Sequence, residues 1–242
     1  LFSTLFGQTN FVKGMEQYLN RAEGSSGMKA QAGPINSAIS LFESSLSENE
    51  EESMLALLKC YYYKGKFVLT NVESKKSIFQ KGKDLGESSI EKYPKSASLR
   101  YWYLANLGSW SEVYGILTAA KEGVSDIMKT QAEEIISLDP YYWNGGGYFM
   151  LGAVHFKSPY IPFILSWPDN DDAVSYLTQA YETGRSTFTQ TVYLARALHK
   201  DKQKTKAIQI LTDLIQMPLS DDEPVEDFGQ QSLAKDLLND WE

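Results

Sequence analysis

Aromatic rings and amides, rather than nucleophiles, are the groups in this chain whose spacing suggests a site. In YWYLANLGSW, Trp102, Asn106 and Trp110 fall at i, i+4 and i+8, on one helical face, with Tyr103 and Leu107 on the adjacent stripe. Two indoles and an amide on one face offer apolar contact and oriented N–H donors, which suits a pocket for an apolar or flat ligand. The same spacing equally serves a core between stacked helices. A second cluster, Tyr141, Tyr142, Trp143 and Asn144, runs into Gly145, Gly146 and Gly147. It lacks the strand, the lysine and the GxGxxG spacing of a phosphate loop. Three glycines weaken a helix start. They mark either close backbone packing or a ligand meeting free N–H groups at the helix N-terminus.

His155 follows at the interior edge of that helix, with no Ser, Cys or acid motif beside it. Downstream, the insert KSPYIPFILSWPDN (157–170) is apolar and held extended by its prolines. Exposed, it would form a partner surface; folded inward, it would line or plug a cleft. The candidate ligand-binding set is therefore Trp102, Tyr103, Asn106, Trp110, Tyr142, Trp143, Asn144, His155 and Trp167. DNDD at 169–172 lacks the glycine and terminal glutamate of a calcium loop and instead suits a helix cap, with Asp169 or Asn170 accepting N–H bonds. HExxH, GxSxG, CxxC and the P-loop are absent. No catalytic residue, metal ligand or cofactor is expected, and an enzyme built on His155 and nearby acids is the weakest reading.

Composition narrows the partners. The formal net charge of −8 argues against nucleic acid, which needs a basic face, although a basic groove inside an acidic molecule remains compatible with it. The one cysteine, Cys60 in KCYYYKG, rules out an intrachain disulfide and reads as a buried thiol. No stretch approaches the roughly 18 apolar residues of a membrane span. The apolar start, LFSTLFGQTN, reads either as the tail of a secretory signal or as a first helix or arm.

The elements that must position these groups are helices. Turn signals at 24–27 and 33–34 separate a helix near 9–23 from one near 34–46, and ENEEE at 48–52 suits the positive start of a long third helix. Further breaks fall at YP (93–94), DP (139–140), SP (158–159), WP (167–168), TG (183–184), MP (217–218) and EP (223–224). KFVLTNV is the nearest approach to a strand pattern and is read as lying inside a helical stretch. An internal repeat organises the second half. Ala173, Leu177 and Ala180 are matched by Ala207, Leu211 and Leu214, and Ala207 lies 34 residues after Ala173. That offset is the period of the tetratricopeptide (TPR) repeat, which places small residues where its two helices cross. Tyr148, Leu151 and Gly152, then Leu194 and Ala195, take the first-helix positions, and Pro94 and Pro140 the terminal proline; the spacing across 94–140 is stretched. The expected fold is all-α, with antiparallel helix pairs stacked as an α–α superhelix of about 10–12 helices, as a single domain over 1–242.

From about residue 99 onward, YWYLANLGSW, LDPYYWNGGGYFMLG, the proline-bearing insert and the last helix EDFGQQSLAKDLL resemble the TPR T components associated with TRAP-type transporters, the TatT-like proteins. Residues 1–98 match only as generic paired helices. The resemblance implies an exported, periplasmic or membrane-anchored helical protein with a central pore or cleft, working beside a periplasmic solute-binding protein. Trimers occur in that family, so a homo-oligomer is among its implications. Two departures stand out: members are often N-terminal lipoproteins, whereas the only cysteine here is Cys60, and the transport role rests on resemblance alone. The competing expectation is an intracellular scaffold with a peptide groove.

Overall fold

The computed structural model describes residues 9–161, 163 and 165–241; the apolar start read as a secretory tail or arm falls almost wholly on 1–8, outside them. Twelve α-helices and no strand occur among the described residues. They are α1 (Asn10–Leu19), α2 (Ala32–Ser45), α3 (Glu50–Tyr63), α4 (Val72–Lys92), α5 (Ala97–Tyr114), α6 (Ile116–Lys121), α7 (Val124–Leu138), α8 (Gly146–Lys157), α9 (Asn170–Tyr181), α10 (Phe188–Lys200), α11 (Lys204–Gln216) and α12 (Pro224–Trp241). Successive helices pair as α1/α2, α3/α4, α5/α7, α8/α9 and α10/α11, with α12 packed on the last pair. The all-α repeat architecture is the one the periodicity predicts.

The local signals account for most boundaries. Glu50, Glu51 and Glu52 occupy the first turn of α3, where the partial positive charge of the helix start favours acids. Asp169 Oδ1 accepts from the Asp171 and Asp172 N–H groups at 2.7 and 3.3 Å, so DNDD is a cap. The helix expected near 34–46 begins two residues earlier, at Ala32, so Pro34 sits in the first turn of α2, where its missing N–H costs nothing. KFVLTNV lies in a helical stretch only in part, because residues 69–71 break it. Lys64–Val68 form a π-helical turn ending α3, and α4 starts only at Val72. The stretched spacing across 94–140 has a simple cause: the short α6, set off by Gly115 and Gly123 at positive φ, is inserted between the two helices of the pair.

Small residues sit where helices cross, as the repeat requires. A Cβ on Gly152 would lie 2.7 Å from Leu177 Cγ and 3.0 Å from the Leu177 backbone nitrogen. Ala173, Ala195 and Ala207 are completely buried. Gly152→Val is expected to destabilise the protein by about 1–3 kcal/mol through overpacking, because backbone cannot step aside as a side-chain tip can. Urea denaturation measures it, and a loss within error of zero would mean that α8 and α9 are free to separate.

Candidate ligand cavity

The first helices of the pairs, α1, α3, α5, α8 and α10, together with α6, the start of α7 and α12, surround a cavity of about 450 Å³. That lies within the roughly 300–1,000 Å³ of small-molecule sites. The chain closes around it. The segment between α1 and α2 meets α12, since a Cβ on Gly229 would lie 3.1 Å from Met28 Cε and one on Gly27 3.2 Å from Phe228. Arg21, in the 3-10 turn after α1, fastens this junction. Its guanidinium bonds Glu226 Oε1 at 3.0 Å and the Asp222 carbonyl at 2.5 Å, and stacks over Tyr18 and Tyr63. Tyr63 completes the seam by donating to the Arg21 carbonyl at 3.1 Å.

The walls are aromatic around a polar minority. Trp102 and Trp143 meet edge-to-face at 5.4 Å, and Tyr62 and Tyr101 pack on Trp102 at 5.7 and 5.5 Å. Phe149, Met150 and Leu165 contribute apolar surface. Trp143 reaches the cavity because the chain makes three successive left-handed residues: Trp143 at φ 48°, Asn144 at 56° and Gly145 at 75°. Only the glycine takes that conformation without cost. Buried Gln190 supports the turn, its Nε2 donating to the Trp143 and Asn144 carbonyls at 3.3 and 3.2 Å. Strain of this kind persists where surrounding structure enforces it.

Of the predicted site residues, only Trp102 and Trp143 line the cavity. Tyr103, Asn106 and Trp110 turn instead toward α4. Tyr103 packs on Gly86 and donates to Glu87 at 3.3 Å. Asn106 lies against Gly82 and donates to the Leu58 and Trp102 carbonyls. Trp110 donates to Gln80 Oε1 at 2.7 Å and stacks on Tyr114. Rotation of 100° per residue explains the correction: eight residues on, a side chain has drifted some 80° around the helix, on the order of a face's width. The inner stripe of α5 is Trp102, Ala105, Ser109 and Glu112, and its small members leave the space that the ligand reading requires.

Tyr142, Asn144, His155 and Trp167 form the frame behind the wall rather than the wall. Tyr142 packs on Tyr101 and Trp143, and burial pushes its pKa up to about 12. His155 accepts from the Asp169 N–H at 3.3 Å and packs on Trp167 and Tyr176, and burial lowers its pKa despite Asp172 nearby. A histidine held in its neutral form and bonded to a helix cap is structural. Trp167 donates to Asp126 at 2.7 Å. Gly146 and Gly147 serve close packing, on Tyr101 and Ile136. The insert divides: Leu165 turns inward, whereas Tyr160 and Phe163 are exposed. Ile164 of that insert lies outside the described residues.

Sequence reasoning missed Lys59, Tyr62 and Lys66, which line the cavity from α3 and the π-helical turn that follows it. Their i, i+3, i+7 spacing within KCYYYKGK was the available signal. Glu112 of α5 pairs with Lys66 at 2.6 Å and Lys157 at 3.5 Å. Burial opposes its ionisation, but the two lysines outweigh burial and hold its pKa below the ordinary value. Glu223 shows the opposite balance. Burial first, then Glu226, Asp227 and Asp222, raise it from 4.5 to about 7 against Arg21.

That shift has a pH consequence. Between 4.5 and 7 the folded state keeps a proton that the unfolded chain has released. Stability from this group is therefore full below the unfolded value and lost as pH rises through 7. Glu223→Gln is expected to remove that loss: equal stability near about pH 5, and a gain on the order of 1–3 kcal/mol near about pH 8. Chemical denaturation at the two pH values checks it, and equal stability at both would contradict the balance described.

Comparison with known proteins agrees with the architecture. A thermophilic TPR protein of Thermus thermophilus, known from its crystal structure, superposes with a TM-score of 0.61, at 13% identity, over 96% of each chain. The fold is of the TPR type. No protein-family model and no curated protein matches the chain. Among the described residues no group of three or more His, Cys, Asp or Glu is placed to hold a metal ion, and no helix is long and apolar enough to cross a membrane.

Proposed function

We propose that this chain is a non-enzymatic, ligand-holding adaptor of the TatT-like type, exported and working beside a periplasmic solute-binding protein, with a small apolar molecule held in the central cavity. The observation that carries the binding role is an aromatic-walled space of about 450 Å³ that the chain closes by joining its first turn to its last helix. Its size suits a small molecule better than an extended peptide, which favours this reading over a peptide-groove scaffold. The export and transporter parts follow from the resemblance over residues 99–242. The exposed Tyr160 and Phe163, on the insert whose Leu165 lines the cavity, are the surface assigned to the solute-binding partner.

A neutral naphthylamine dye that brightens in apolar surroundings tests the binding role. Saturable binding at one dye per chain is expected, weakened at least about tenfold by Trp143→Ala, a loss equivalent to about 1.4 kcal/mol. Unsaturable or multiple weak binding would contradict it. Co-purification of a solute-binding protein from the source cells, lost on Phe163→Ser, tests the partner.

A further inference from the structure

The charges of the cavity wall sort into ion pairs with two exceptions. Three lysines and three glutamates line it: Lys59, Lys66, Lys157, Glu112, Glu223 and Glu226. Arg21, behind the wall, holds Glu226, and Glu112 is shared by Lys66 and Lys157. Lys59 and Glu223 remain, and no ion pair joins them among the described residues. The Lys59 ammonium lies instead 5.6 Å from the Trp102 ring and 5.5 Å from the Trp143 ring. It is half-buried, with no hydrogen-bond or carboxylate partner in the described structure. Burial lowers its pKa and Arg21 adds repulsion, which together outweigh the opposing influence of Glu223 and Cys60.

A desolvated, unpaired cation destabilises the molecule that carries it, and such a group is retained for what it binds. Tyr62 stands one turn along α3 on the same wall, and its own hydroxyl has no hydrogen-bond partner among the described residues. Burial keeps that hydroxyl protonated, hence a donor. Lys59 and Tyr62, a turn apart on α3, match the two oxygens of a carboxylate. Resting on the cavity reading above, we infer that the ligand is a monocarboxylate with an apolar or aromatic body, its carboxylate held by Lys59 and Tyr62 and its body lying against Trp102 and Trp143. The ammonium between two indole faces is then a pre-placed counter-charge that carries no cost once the carboxylate arrives.

Calorimetric titration with three isosteres of one body separates the outcomes: naphthylacetate, naphthylethanol and naphthylethylamine. The carboxylate is expected to bind at least about tenfold tighter than the alcohol, and the amine weakest. Lys59→Met should bring the carboxylate's affinity down to within a few-fold of the alcohol's, Lys59→Arg should retain the preference, and Tyr62→Phe should reduce it several-fold. Unliganded Lys59→Met should melt no lower than the parent, because it removes an unpaired charge; a structural lysine would lower it. Should Lys59→Met fail to fold, the three titrations on the parent still decide. Equal binding of carboxylate and alcohol, or tightest binding of the amine, would overturn the carboxylate assignment and leave the cavity reading intact. Binding of none of the three would overturn both.

Discussion

Replacing Arg21 by Met is expected to cost about 3–5 kcal/mol, the range for removing one partner of a buried ion pair. Arg21 is 4% exposed and satisfies three acceptors from two distant parts of the chain: Glu226 Oε1, the Asp222 carbonyl and, at 3.4 Å, the Tyr18 carbonyl. Without it, Glu226 and Glu223 face each other in a poorly hydrated wall, and burial already holds Glu226 above its ordinary pKa even with Arg21 present. The loss should therefore grow with pH, as the two acids ionise without a counter-charge. Replacing Glu226 as well, in Arg21→Met/Glu226→Leu, should recover much of the loss, since an apolar pair leaves no orphaned charge. A single-variant loss below about 1 kcal/mol in urea denaturation would mean that apolar contacts such as Met28 on Gly229, not this ion pair, close the ring.

Gln190 should be nearly as sensitive, for a different reason. It is 1% exposed and acts twice: its Oε1 accepts from the Thr187 N–H at 2.8 Å in a reciprocal cap of α10, and its Nε2 serves the carbonyls of Trp143 and Asn144. Gln190→Ala removes its half of the reciprocal cap and orphans the Trp143 carbonyl, an expected loss of about 2–4 kcal/mol. Gln190→Glu separates the roles, because the carboxylate keeps the cap acceptor and cannot donate to the turn. With its left-handed conformation unsupported, Trp143 should leave the wall in both variants, and dye affinity should fall together with stability. Stability lost with affinity unchanged would show that the turn does not position the site.

The repeat was legible because its signal is steric. Ala173, Leu177, Ala207 and Leu211 recur at a fixed period since each crossing tolerates only small residues beside one large one, and that constraint is local to each pair. The direction each aromatic faces was less legible. From Leu99 to Trp110 every residue of α5 but Ala105 and Gly108 is buried, against α4 on one side and the cavity on the other, so periodicity has no polar face from which to orient it. Trp102 and Trp110 look equivalent at i and i+8 yet face different neighbours. Lys59 was obscured for another reason: a lysine inside a tyrosine-rich helix reads as a solvated charge, and its isolation emerges only once Glu226 and Glu112 are seen to be occupied. The junction of Arg21 with Glu226 spans 205 residues and has no local signature.

Filling the cavity with a side chain shows whether the ligand sits there. Gly108 lines it, and a Cβ there would meet only the Met128 methyl, at 3.6 Å, so Gly108→Phe places a ring in the space without displacing backbone. The expected result is a melting temperature close to that of the parent and dye binding reduced at least about tenfold. Undiminished binding to a folded Gly108→Phe variant would place the ligand outside this cavity.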